Sequence, residues 1–298
     1  MLYAYLTTIL FAASSLLAQR SQQAVGPARA NLGRLALGLI LLGVWAHSFG
    51  GGLRGAALPS FLLSGLLGMG VGDIAFFAAL PFLGSRLTTT MNQCLSVPVA
   101  IAIEWLWLGT RLTGVQFGCI GVVLAGIVVA LIPTRKDPPK VRVRPVGALL
   151  GFIAAVGQGA GAVFSRHAFE VTAAAGEHID GLTAAYQRVL GGLALTLLWF
   201  GARFWLDRRR GRPPEPAPTG RAHGWIVGHA LAGPVLGMTT FQLALASAPS
   251  GLVLPITACA PLAIIPLAYW FEGERPSKRS LAGGAIAVAG AVALALAR

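Results

Sequence analysis

The stretch FFAALPFLGSRLTTTMNQCLSVPVAIAIEWLWLGTRLTGVQFGCIGVVLAGIVVAL, residues 76–131, has a counterpart near the end of the chain. That counterpart is TFQLALASAPSGLVLPITACAPLAIIPLAYWFEGERPSKRSLAGGAIAVAGAVALAL, residues 240–296. With Thr240 opposite Phe76, the two run on without a gap. Trp105 then meets Tyr269, Gly109 meets Gly273, Arg111 meets Arg275, Thr113 meets Ser277 and Gly126 meets Gly290. Identities are few, but the order of parts is shared: a helix, an A-L-x-x-x-x-S entry, a second helix, a G-x-R-x-S/T turn and a helix of small residues. Internal similarity at one long shift marks a chain built from two copies of one unit.

Working outward, the rest of the chain reads in pieces long enough to cross a bilayer, which takes about 20 apolar residues in helical form. Ten such segments fall at approximately 2–20, 30–49, 57–83, 86–108, 113–132, 146–168, 181–206, 223–247, 250–271 and 279–297. Two connections are long and polar: Pro133–Pro145, with Pro138 and Pro139 among five cations, and Arg203–Arg221, with Arg208, Arg209, Arg210 and four prolines. The first divides the chain into residues 1–133 and 146–298, with 134–145 as a basic, proline-containing linker. Each half holds five crossings. An odd number inverts the second copy relative to the first, and inverted repeats are a hallmark of secondary transporters with a substrate site near midplane. The expected fold is an all-α integral membrane protein of ten transmembrane helices, in two inverted five-helix repeats around a central cavity.

Composition agrees. Of 298 residues, 55% are hydrophobic and 11% charged, against about 25% charged for a soluble domain that must clothe a wet surface. The net charge of +13 sits in short runs between apolar stretches, as in loops held beside anionic lipid. A nucleic-acid surface would need an exposed basic face, for which little of the chain remains. Cys94, Cys119 and Cys259 all lie inside apolar stretches, with no CxxC or Cys/His spacing; they read as small hydrophobes, and no metal or cofactor is implied. The first segment lacks a basic flank and reads as a retained helix, not a cleaved leader.

The turns W-L-G-T-R-L-T (107–113) and F-E-G-E-R-P-S (271–277), each before a Gly/Ala-rich closing helix, resemble those of EamA-type proteins in the drug/metabolite transporter superfamily. The second turn matches the family's G-E-R-x-S/T pattern. The first departs from it, with Thr110 where an acidic residue is usual. The resemblance covers nearly the whole chain. It implies a cavity lined by helices 1, 3, 4, 6, 8 and 9, a peripheral fifth helix in each half, and export of amino acids, other metabolites or toxic compounds from the cell through the inner (plasma) membrane. Such a protein works as a monomer or homodimer, with protons or a counter-substrate as coupling partner. The positive-inside rule places both termini outside, whereas the resemblance places them inside.

Charged groups at midplane are expensive, about 2.5–3.5 kcal/mol on insertion scales, so each invites a functional reading. Asp73 follows Gly68-Met69-Gly70-Val71-Gly72 in mid-helix and precedes Phe76 and Phe77. It reads either as a substrate or proton site or as one half of a folding ion pair. Arg188 reads as its partner, as a substrate anion site, or as a cation snorkelling from the helix end. Asn92 and Gln93, in a polar stripe running from Thr88 to Ser96, read as cavity wall or interhelical glue. Gln158, His229 and Gln242 complete the candidate lining, with Phe76 and Phe77 as apolar wall. His229 is a second proton-coupling candidate because imidazole titrates near neutrality. Pro98, Pro234, Pro255 and Pro261 are expected to bend their helices, each freeing a carbonyl.

Glu104 reads as interfacial, and His167, Glu170, Glu177, His178 and Asp180 as a solvated loop between helices 6 and 7. The functional expectation is an alternating-access exporter or exchanger of small amphipathic metabolites, drugs included. The alternatives are a non-transporting scaffold or lipid-handling protein. A membrane-embedded enzyme would need a convergent His/Asp/Glu motif such as HExxH, and the sequence contains none.

Overall fold

A computed structural model of the chain describes residues 1–132, 144–209, 220–264 and 278–297. These form ten helices: α1 (Leu2–Val25), α2 (Pro27–Ser48), α3 (Leu58–Gly84), α4 (Leu87–Leu108), α5 (Gly114–Leu131), α6 (Pro145–Ala174), α7 (Gly181–Arg209), α8 (His223–Ser247), α9 (Ser250–Ile264) and α10 (Lys278–Leu296). Among the described residues, nine are long and apolar enough to cross a membrane, and α9 is a shorter apolar helix. Most of the linker 134–145, the Pro213–Pro218 stretch and the turn 271–277 lie outside the described residues.

Three boundaries differ from the sequence reading. α1 continues to Val25 and α6 to Ala174, so His167 and Glu170 are helical and the connection to α7 is short. α7 runs to Arg209, carrying Arg203 and Arg208 on helix. A hydropathy ruler stops where apolar residues stop, whereas a helix continues into the interface as long as its backbone bonds are made.

Local chemistry sets the ends. Gly84, at φ 74°, breaks the backbone between α3 and α4, a conformation that Cβ-bearing residues resist. Thr113 and Gln116 form a reciprocal capping box at the start of α5. Asp180 caps α7: its Oδ1 accepts from the amides of Leu182 and Thr183, both at 3.0 Å, and from the Trp45 indole at 3.3 Å. Glu104, read from sequence as interfacial, is buried at the end of α4 and caps α9. It accepts from the Ser250 amide (3.2 Å), the Ser250 hydroxyl (2.6 Å) and the Gly251 amide (3.1 Å).

The packing is reciprocal. α3 lies against α6 and α7, as α8 lies against α1 and α2; α4 packs on α6, as α9 packs on α1. α5 and α10 pack together at Gly126 and Gly283, where an added Cβ on either would collide with the other's backbone. Small residues that let backbones meet are the usual glue between helices in lipid, where apolar surface gives no drive of its own.

α3 and α8 share a further feature. Each widens to a π-helical segment, at Leu66–Gly72 and at Leu231–Gly237. Pro234 lies inside the second and is buried. A widened turn absorbs the missing amide of a proline, and such segments recur at functional sites.

Candidate functional site

Asp73 is the first residue after the wide turn of α3. Its Oδ2 accepts from Nη2 of Arg34 on α2 at 2.8 Å, and Arg34 Nε donates to Asn31 Oδ1 at 2.9 Å. The side chains are 14% and 27% exposed, Arg34 and Asp73 respectively. Both keep some accessible surface in a stretch where bare charge against lipid would be costly. Arg34 reaches the other half as well: an added Cβ at Gly233, in the wide turn of α8, would stand 3.9 Å from its Nη1. Asp73 is therefore held by a residue the sequence reading passed over.

His229 is buried, with Nδ1 3.3 Å from the Ser21 hydroxyl of α1. The same Ser21 hydroxyl lies 2.9 Å from the Ala18 carbonyl. Gln158 is half-buried on α6, and its backbone amide packs against Gly72, next to Asp73. Phe76 and Phe77 are half-buried and meet edge to face at 5.7 Å. Asn92 and Gln93 are half-buried on α4 and take no part in the Arg34 pairing. Around them, Thr88 bonds the Gly84 carbonyl and Ser96 the Gln93 carbonyl, so those hydroxyls serve their own helix.

Arg188 is not a snorkelling residue. Its side chain is fully buried, with Nη1 donating to the Gly161 carbonyl (3.2 Å) and to the Ser165 hydroxyl (2.9 Å) of α6. Its guanidinium carbon stands 5.2 Å from the Phe241 ring centre of α8. The reason is what covers the end of α7. The loop after α2 folds over it, held by Gln187 Nε2 donating to the carbonyls of Gly52 (2.9 Å) and Arg54 (3.2 Å). Seven residues from a covered helix end is deep, not shallow. Gln242 is likewise fully buried, donating to the Ala184 carbonyl at 3.4 Å, with Oε1 unpartnered.

α9 is interrupted at Ala258 and Cys259, between buried Pro255 and half-buried Pro261. Beside the break, the Ile256 carbonyl accepts from Thr8 of α1 at 3.0 Å. Pro98 lies exposed within α4. Two cavities among the described residues can be placed. One, of about 280 Å³, lies under the loop after α2, beside Arg54, Glu177, His178 and Gln187. The other, of about 360 Å³, is an apolar cleft between α1, α9 and α10. None of the lining candidates borders either.

No curated protein is similar in sequence. A solved crystal structure shares the fold with a TM-score of 0.77 at 20% identity, over 98% of this chain and 95% of the other. A profile of the EamA-like transporter family matches residues 1–132 and again 145–296. With nearly every residue inside those matches, the multi-pass chain described here belongs to the EamA-like transporter family.

Proposed function

We propose that the chain exports or exchanges small amphipathic metabolites, amino acids and related compounds among them, by alternating access between two inverted five-helix halves, 1–133 and 146–298, in the inner membrane. The observation that carries this reading is the Arg34–Asp73 pair, partly accessible beside the wide turns of α3 and α8. The reciprocal packing of α3 on α6 and α7, and of α8 on α1 and α2, supports the two-half arrangement. Asp73 and His229 are the coupling residues. Asn92, Gln93, Gln158, Gln242, Phe76 and Phe77 face the substrate along the path.

Counterflow in proteoliposomes across a metabolite panel, with internal pH recorded, is the test. Saturable flux that falls in Asp73→Asn and His229→Ala is expected. Unchanged flux in both variants removes their roles, and a folded protein that moves no solute favours a scaffold.

A further inference from the structure

Where α3, α6, α7 and α8 meet, the Arg188 guanidinium is fully buried. The Asp73 carboxylate is paired with Arg34 of α2. Nη1 of Arg188 is committed to Gly161 and Ser165, but its buried Nε has no partner. A buried charged donor left without a partner is rare, because it has given up water and received no bond in return. The Arg188 guanidinium is thus buried without a carboxylate in contact and with one bond unmade.

We propose that Arg188 is the binding site for the carboxylate of the transported solute. This rests on the transporter reading above and names its substrate class. A carboxylate neutralises the guanidinium it meets, whereas a cation would add a like charge beside it. The Nε edge of a guanidinium takes a carboxylate side-on, with geometry that ammonium cannot match. A second feature points to the same ligand. Gln242 donates to Ala184, one helical turn before Arg188 on α7, and leaves its Oε1 unpartnered. Gln242 follows Phe241, whose ring centre is 5.2 Å from the Arg188 guanidinium carbon, so an empty acceptor lies on the stretch of α8 that the guanidinium meets. A carboxylic acid that also carries an N–H or O–H group suits both. The Arg188 side chain is fully packed in this conformation, so the solute has access only in a conformation in which that packing opens.

The test uses the full-length protein in proteoliposomes and solute pairs that differ only at the carboxylate, a carboxylic acid against its primary amide. The wild type is expected to carry acids about tenfold faster than amides, the value of one charge-assisted hydrogen bond. Arg188→Gln is expected to bring that ratio to within about twofold, and Ser165→Ala, which leaves Nε in place, to preserve it. Arg188→Lys retains the charge without the Nε edge and covers the case in which the glutamine variant does not fold; an intermediate ratio is expected. Amides carried as fast as acids by the wild type, or full discrimination surviving in both Arg188 variants, overturns the assignment while leaving a transporter. A folded protein that moves neither set overturns both readings.

Discussion

Nη2 of Arg34 donates to Oδ2 of Asp73 at 2.8 Å, joining α2 to the residue that ends the wide turn of α3. Removing either partner strands the other charge. Because both side chains keep some accessible surface, the loss falls below the 3–5 kcal/mol typical of a fully buried pair, at about 1–3 kcal/mol. Asp73→Asn and Arg34→Gln should each lower the unfolding temperature in detergent. The double variant should lose less than the sum, as groups in direct contact do.

Glu104 supplies three acceptor contacts to the first residues of α9. It also places negative charge at a helix N-terminus, where the dipole favours it. Glu104→Ala leaves buried donors without partners and should destabilise the protein by about 2 kcal/mol or more, measured by chemical denaturation in micelles. Glu104→Gln should fall between.

Asp180 lies just before α7. Burial pushes its carboxyl up, but hydrogen bonds from the Thr183 hydroxyl and amide, the Leu182 amide and the Trp45 indole outweigh it and hold the group below the usual 3.8. The unfolded chain therefore binds the proton more readily. Asp180's contribution is present above the ordinary carboxylate value and lost as pH falls through the lower, folded one. Melting curves taken from neutral pH downward should show that acid loss in the wild type. Asp180→Ala should start lower by about 0.5–2 kcal/mol, the value of a helix cap, and show less of the acid decline.

Gly126 on α5 meets the backbone of Ala287 on α10. A leucine there forces the helices apart, and overpacking of this kind costs about 1–3 kcal/mol. Gly126→Leu should lower thermal stability. It should alter acid-over-amide selectivity little, since this seam lies away from Arg34 and Arg188.

Helix positions were readable because each is a long apolar run whose backbone bonds close internally, which lipid demands of any spanning segment. Asp73 stood out for the same reason, as a charge in such a run. Its partner did not. Arg34 sits one or two turns into α2, where a cation reads as an interface anchor, and the contact that redefines it spans 39 residues. Arg188 and Glu104 were misjudged alike, because depth counted in residues ignores what covers a helix end: the loop after α2 in one case, the start of α9 in the other.

The wide turns at Leu66–Gly72 and Leu231–Gly237 give α3 and α8 a property that a regular rod lacks. Each stores surplus chain, and a surplus residue behaves as a phase slip. As one amide is handed from carbonyl to carbonyl the slip moves along the rod, and each residue it passes turns by about 100°. Asp73 is the first side chain beyond the slip in α3, so a slip that steps onward by one residue would re-aim that carboxylate first, against the hold of Arg34.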